Sequence, residues 1–156
     1  MAGTARGFTV RGLGEVAIRC ADLPAMAAFY RDVIGLKDIE GDYSPHIRFF
    51  EIAPGVAGHT TVLALFHADE GGGDGLTQSD MPPATGTASS LHHIALSLPF
   101  AQQDSAMRWF EAHGLDYRVQ EFAWVGWRGI FVKDPEGNTV ELVAHDPNSG
   151  VPPLAR

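Results

Sequence analysis

The sequence predicts an α+β protein built from two similar modules, each a strand, a helix and about three further strands. The first observation is an internal repeat, because LGEVAIRC from Leu13 matches LHHIALSL from Leu91, 78 residues later. The second is that a helix-like run with a glycine stop follows each of these strand-like segments. The third is that both halves then continue in segments rich in Phe, Trp, Ile and Val, which favour strands.

A segment of distinct composition divides the chain into two halves. Residues 68–90 are rich in Gly, Pro, Ser and Thr and have little apolar periodicity, which is typical of a linker or a long mobile loop. The first module then covers about residues 11–67 and the second about residues 91–146. With 156 residues and 45% hydrophobic content, we expect residues 1–156 to form a single domain that contains both modules.

In the first module, EVAIRC predicts the opening strand. Asp22 can cap the helix that follows, Pro24 fits its first turn, and Gly35 supplies the left-handed residue that ends it. Between these signals the apolar residues stand at helical spacing: Met26, Phe29, Tyr30 and Val33. The segments IRFFEIAPG and TTVLALF predict two of the later strands.

In the second module, HIALSL predicts the opening strand. Met107, Trp109 and Phe110 supply the apolar residues of the helix, and Gly114 ends it. RGIFVKDPEGN and TVELVAH then predict two later strands, because DPEGN between them has strong turn chemistry.

Strand alternation assigns the side chains of each opening strand to two faces. One face of each strand is apolar and suited to packing under the helix: Val16, Ile18 and Cys20 in the first module, and Ile94, Leu96 and Leu98 in the second. The other face carries Glu15, Ala17 and Arg19 in the first module and His93, Ala95 and Ser97 in the second, while His92 points away from His93. The small Ala17 and Ala95 leave room for a ligand on these open faces.

The last strand adds a third polar residue among apolar neighbours. In NTVELVAH, Glu141 faces away from Val140 and Leu142, and a buried carboxylate is costly unless it is paired or bound to a metal. A salt bridge to Arg128 or Arg48 is the structural alternative. The 78-residue offset places Leu63 at the matching position of the first module, so that module offers no carboxylate there.

Charge and cysteine content limit the kinds of partner. The chain has 11 basic and 19 acidic residues, a formal charge of −8, and no Lys/Arg cluster for nucleic acid or an anionic membrane, so we expect a small-molecule or protein partner. A single cysteine excludes an internal disulfide, and no long apolar run indicates a signal peptide or a membrane span. We therefore expect a soluble cytoplasmic protein.

The paired modules, together with HHIAL, FYRDVIGL and DPEGNTVEL, resemble the vicinal oxygen chelate superfamily over about residues 11–146. That superfamily includes glyoxalase I, extradiol dioxygenases, methylmalonyl-CoA epimerase, fosfomycin-resistance enzymes and bleomycin-binding proteins. The resemblance implies two βαβββ modules whose curved mixed sheets enclose a cleft. It also implies a homodimer, with the modules paired within one chain or exchanged between two.

The resemblance further implies that Glu15, His93 and Glu141 bind a divalent metal ion, one of Mn²⁺, Fe²⁺, Co²⁺, Ni²⁺, Zn²⁺ or Mg²⁺. The residues alone leave these roles open, because a histidine in a strand is commonly structural and a Glu near a strand start is commonly solvated. Three protein ligands would leave open positions on the metal for two adjacent substrate oxygens, which it would polarise as a Lewis acid.

Two functions follow from these observations. The favoured one is a metal-dependent enzyme of lyase, isomerase or dioxygenase type that acts on a small substrate with vicinal oxygens. The alternative is a metal-free protein of the bleomycin-resistance kind, which sequesters a drug or metabolite in an aromatic groove. His46 and Trp127 stand at similar places, each before the third strand of its module, and are candidates to line the pocket.

Overall fold

The structure is a computed structural model that describes residue 7 and the ranges 9–68 and 91–154. The segment 68–90, predicted to be a linker or a mobile loop, lies outside the described residues except for Ala68. None of the helices among the described residues is long and apolar enough to cross a membrane.

The first module forms a four-stranded mixed sheet with one helical segment. Its elements are β1 (Glu15–Cys20), α1 (Leu23–Ala28), a π-helical turn (Phe29–Val33), β2 (Lys37–Asp38), β3 (Ile47–Val56) and β4 (His59–His67). The strand order is β1-β4-β3-β2, in which β1 runs parallel to β4 and the other neighbours are antiparallel.

The second module repeats this arrangement. Its elements are β5 (Ile94–Ser97), a 3₁₀ turn (Phe100–Gln102), α2 (Gln103–Ala112), β6 (Arg118–Phe122), β7 (Trp127–Lys133) and β8 (Thr139–His145). The order β5-β8-β7-β6 has the same parallel first pair and antiparallel remainder. The two mixed sheets confirm the predicted α+β class and the internal repeat.

The helix signals of the first module act as predicted, with one difference. The Asp22 carboxylate accepts a hydrogen bond from the Ala25 N–H at 3.0 Å, and Gly35 has a φ of 84°, as the left-handed stop requires. The sequence predicts one continuous helix, whereas the helix widens at Phe29, whose carbonyl accepts a hydrogen bond from the N–H five residues later at 3.0 Å.

Burial follows the predicted alternation. Ile18 and Cys20 in β1 are buried, as are Ile94 and Leu96 in β5. Their side chains join one apolar cluster drawn from both modules, whose largest members are Tyr30, Phe50, Phe110, Met26, Leu63, Leu65 and Ile130. The core therefore lies on the helix side of the sheets.

The two modules also contact each other through polar groups on that side. The Tyr30 hydroxyl donates to Asp134 at 2.9 Å, and the Trp109 indole N–H donates to the Val33 carbonyl at 2.9 Å. The Glu136 carboxylate accepts hydrogen bonds from the backbone N–H groups that precede α1, at 2.8 and 3.0 Å. Glu15, Ala17, His93, Ala95 and Ser97, on the opposite face of the opening strands, are exposed.

Candidate functional site

Two of the three predicted metal ligands meet on the open face of the second sheet. The His93 Nε2 atom lies 3.2 Å from a Glu141 carboxylate oxygen. Glu141 is 5% exposed, whereas the His93 side chain is 34% exposed, so the pair has a buried end and an open end. Ala95 is the β5 residue paired with Glu141, and its small side chain covers little of the carboxylate on that side.

A glycine on β7 provides the space for the Glu141 carboxylate. A Cβ atom at Gly129 would overlap Glu141 Oε1 and approach the Phe131 ring to 2.8 Å, so a larger residue there would move one of them. Phe131 is the β7 partner of Glu141, and its ring centroid lies 6.1 Å from that of His93. The pair is therefore bordered by an aromatic ring and by the bare backbone of Gly129.

The surroundings of Glu141 disfavour an isolated negative charge. Burial raises the pKa of the Glu141 carboxyl above its ordinary value, because the ionised form loses hydration. The neighbouring His93 offsets part of this shift through its charge and its hydrogen bond. A cation placed beside this carboxylate would stabilise its ionised form.

The salt bridges considered as alternatives do not form. Arg128 donates to the Gln103 side-chain oxygen at 2.6 Å and lies 3.4 Å from Asp104, on the helix side of the sheet. Arg48 belongs to β3 of the other sheet, where it pairs with Leu65. Among the described residues, the ion-pair partner of Glu141 is His93.

Glu15 does not join this pair within one chain. It is the exposed first residue of β1 and pairs with Val62 on β4. Across the ranges 9–68 and 91–154, no three His, Cys, Asp or Glu side chains lie close enough together to hold a metal ion. The complete ligand set of Glu15, His93 and Glu141 thus stays a prediction.

The pairing of strands corrects the residue matched to Glu141 in the first module. Glu141 pairs with Ala95, and the repeat equivalent of Ala95 is Ala17, which pairs with Ala64. The prediction of Leu63 at this position was wrong, because the repeat offset changes by one residue before the last strand. Leu63 is fully buried on the helix side. The first module still offers no carboxylate at this position.

The predicted orientation of His92 was also wrong. The Nδ1 atoms of His92 and His93 lie 2.7 Å apart, so the two rings contact each other. Strand alternation does not separate them, because β5 begins only at Ile94. Both histidines therefore stand at the open end of the site.

The two predicted pocket residues lie on different modules. Trp127 begins β7 and is 39% exposed, and its ring centroid lies 6.5 Å from that of the more exposed Trp124. His46 precedes β3 and is exposed, and its ring lies 5.6 Å from that of His67. Their roles as pocket residues stay predictions.

A cavity that the sequence did not predict lies beside Phe131. Its volume is about 540 Å³, and Arg118, Gln120, Lys133 and Thr139 contribute to its wall. These side chains share the open face of the second sheet, because Arg118 pairs with Phe131 and Lys133 pairs with Thr139. The cavity forms where β6 pairs with β7, and this pairing is a tertiary feature.

A family model matches most of the chain. The model of the Glyoxalase/Bleomycin resistance protein/Dioxygenase superfamily matches residues 12–142. No curated protein gives a significant match.

Several solved structures resemble most of the chain. A lactoylglutathione lyase from Agrobacterium tumefaciens is 24% identical, with a TM-score of 0.61 over 85% of this chain and 92% of that one. A glyoxalase/dioxygenase from Nostoc punctiforme is 21% identical, with a TM-score of 0.65 over 92% of this chain and 96% of that one.

A third similar structure holds a metal ion. It is a mutant of the fosfomycin resistance protein FosX from Listeria monocytogenes, complexed with Mn(II) and 1S,2S-dihydroxypropylphosphonic acid. It is 18% identical, with a TM-score of 0.59 over 90% of this chain and 97% of that one. At these identities the likeness of all three structures shows a shared fold.

Proposed function

The chain belongs to the Glyoxalase/Bleomycin resistance protein/Dioxygenase superfamily, and on that premise we propose that it is a metal-dependent enzyme acting on a small substrate with vicinal oxygens. The reaction class is a lyase, isomerase or dioxygenase type, as in the superfamily. We also propose that the protein is cytoplasmic, as expected from the sequence.

One observation carries this proposal, the contact between His93 and Glu141. The imidazole nitrogen of His93, just before β5, and the carboxylate of Glu141 on β8 lie 3.2 Å apart and are two ligands of the kind that divalent transition metals bind. The site fits a cation because Gly129 allows the carboxylate to lie in this buried position and because burial without a cation is unfavourable for its charge.

We propose that Glu15 of a second copy supplies the third ligand. Within one chain the modules contact each other through their helix sides, so the open face of each sheet is available to another subunit. An isologous dimer would bring β1 of one protomer against the His93–Glu141 pair of the other, and its symmetry would create two such sites. This arrangement explains why no three-ligand group forms among the described residues of one chain.

The bound ion, one of Mn²⁺, Fe²⁺, Co²⁺, Ni²⁺, Zn²⁺ or Mg²⁺, would supply Lewis-acid chemistry at the substrate oxygens. The protein groups around it define the space for the substrate. The small Ala95 and Ala17 leave room on the open faces, and Phe131 offers an apolar surface beside the ligands. His92, in contact with His93, adds a second imidazole beside the pair.

Sequestration of a drug or metabolite without metal is the second candidate. The observation that favours it is the exposed aromatic pair of Trp124 and Trp127, at 77% and 39% exposure. Large exposed aromatic side chains of this kind bind flat apolar ligands or partners.

Metal content distinguishes the two candidates. Elemental analysis of the full-length protein, purified under reducing conditions and supplemented with divalent metals, is expected to find about one metal ion per chain. His93→Ala and Glu141→Gln are expected to weaken binding by at least about 100-fold, since even indirect partners of a metal ligand contribute 10- to 100-fold.

His113→Ala is the matched control, because this exposed histidine lies at the end of α2 on the helix side. It should keep its metal, and circular dichroism should show that all variants are folded. A wild-type protein that neither carries nor takes up metal would overturn the enzyme proposal and leave sequestration as the leading function.

A further inference from the structure

The cavity beside Phe131 carries positive charge in a protein of net negative charge. Arg118 and Lys133 both line it, although the chain has only 11 basic residues against 19 acidic ones. An anionic ligand is repelled by the molecule as a whole but attracted to this wall. Two cations in one cavity therefore indicate a specific attraction for negative charge.

Neither cation is neutralised by a neighbouring carboxylate. In the part of the chain that the structure describes, no Asp or Glu oxygen lies within 4.0 Å of the Arg118 guanidinium or the Lys133 ammonium. Lys133 donates a hydrogen bond to the Thr139 hydroxyl, and Asp116 lines the cavity without forming an ion pair. Both positive charges remain available to a ligand.

The wall also has an apolar part. The Phe131 ring lines it on the open face, and the cavity volume of about 540 Å³ lies within the usual range for sites that bind small organic molecules. A ligand that satisfies the whole wall has an apolar body and an anionic end. Inorganic anions would leave the apolar part unfilled.

The cavity also adjoins the proposed metal site. Phe131 lines the cavity and pairs with Glu141 across β7 and β8, and its ring lies 6.1 Å from that of His93. One molecule of modest length can contact both places.

We propose that this cavity binds the carboxylate of an organic acid through Arg118 and Lys133 and directs the other end of the molecule toward His93 and Glu141. The substrate class is therefore an organic acid with an apolar body that carries the reacting oxygens at the end remote from its carboxylate. The direction of the reacting end rests on the proposed function, whereas the affinity for the acid does not require a metal.

Binding of two matched probes tests the proposal. Phenylacetate and its neutral analogue phenylacetamide differ in charge but little in shape, and calorimetry on the full-length, chelator-treated protein measures each. A fragment of this size is expected to bind with a Kd of about 1–10 mM. Phenylacetamide should bind at least about fivefold more weakly, because it forms no charge-assisted hydrogen bond.

Three variants locate the source of this preference. Arg118→Gln and Lys133→Gln should each weaken phenylacetate binding by about fivefold and leave phenylacetamide binding unchanged. Arg108→Gln makes the same change of charge on α2, where Arg108 is exposed and contacts Ser105, and should behave as wild type. Matching thermal melts would show that the variants are folded.

Equal affinity for the two probes, no detectable phenylacetate binding, or an equal loss in Arg108→Gln would overturn the proposal. Failure of metal uptake with the acid preference intact would instead overturn the enzyme function and, with it, the direction of the reacting end. The acid site and the enzyme function can therefore be told apart.

Discussion

Glu141 shows how one residue connects burial with function. Its carboxylate is 5% exposed in a strand of apolar residues, and burial raises the pKa of this group. His93 is the partner that the structure provides, and Gly129 provides the space. A position that disfavours an isolated anion favours one that shares its charge with a cation.

Gly129→Ala tests the importance of that space. The added Cβ would overlap the Glu141 carboxylate and crowd Phe131, so we expect a loss of about 1–3 kcal/mol in the free energy of unfolding, together with weaker metal binding. Chemical denaturation and metal titration measure the two effects.

Gly41→Ala is the control for Gly129→Ala, because Gly41 also lacks a left-handed backbone and its Cβ would meet only the Tyr43 ring, at 3.1 Å. It should not change metal binding. Wild-type metal affinity in Gly129→Ala would show that the space beside Glu141 is not required.

At the scale of elements, the DPEGN turn between β7 and β8 has a role beyond the turn itself. The Asp134 carboxylate accepts hydrogen bonds from the Glu136 and Asn138 backbone N–H groups and from the Asn138 side chain, at 2.8 to 3.0 Å. It also accepts the Tyr30 hydroxyl from the first module at 2.9 Å. The DPEGN segment, which the sequence predicts only as a local turn, thus also joins the two modules.

Tyr30→Phe removes that contact without changing the shape of the core. Burial and the Asp134 charge raise the pKa of Tyr30, so its hydroxyl stays protonated and donates at all ordinary pH values. Loss of this buried hydrogen bond should cost about 1–2 kcal/mol and lower the Tm by about 2–6 °C. Thermal unfolding measures the difference.

Tyr43→Phe serves as the comparison, since the Tyr43 hydroxyl donates to the Ile39 carbonyl at 2.6 Å within the first module and is only partly buried. Its effect on Tm should be smaller. An unchanged Tm in Tyr30→Phe would mean that the contact between modules contributes nothing to stability.

At the scale of the whole molecule, the three predicted metal ligands lie on two different sheets. The helix sides of both modules share one core, which leaves Glu15 on one open face and His93 with Glu141 on another. A site that uses all three, as we propose, requires a second copy of the chain.

Mixing two variants that each lack a metal site tests this composite site. Glu15→Ala and His93→Ala should each lack metal sites. A mixed dimer would have one site with all three ligands and a second site that lacks both Glu15 and His93. Random reassociation should therefore restore about a quarter of the wild-type metal content. Elemental analysis after denaturation and joint refolding measures it.

Refolding each variant alone is the control and should restore no metal. If the mixture also restores none, while wild type treated in the same way recovers its metal, Glu15 does not act across a dimer interface.

The repeated modules and the faces of their opening strands follow from residue patterns within each segment. Strand alternation has a fixed period, so Ala95 and Ser97 could be assigned to the open face from spacing alone, and His93, just before β5, lies on the same side. The order of elements in the modules follows from local signals such as Asp22 and Gly35.

Which residues meet depends on the pairing of strands that are distant in the chain. The register between strands brings Glu141 opposite Ala95 and replaces Leu63 by Ala64, because strand pairing is a long-range property that a constant offset does not capture. The cavity of Arg118 and Lys133 forms only when β6 pairs with β7, so the charge that we assign to substrate binding has no signature in either segment alone.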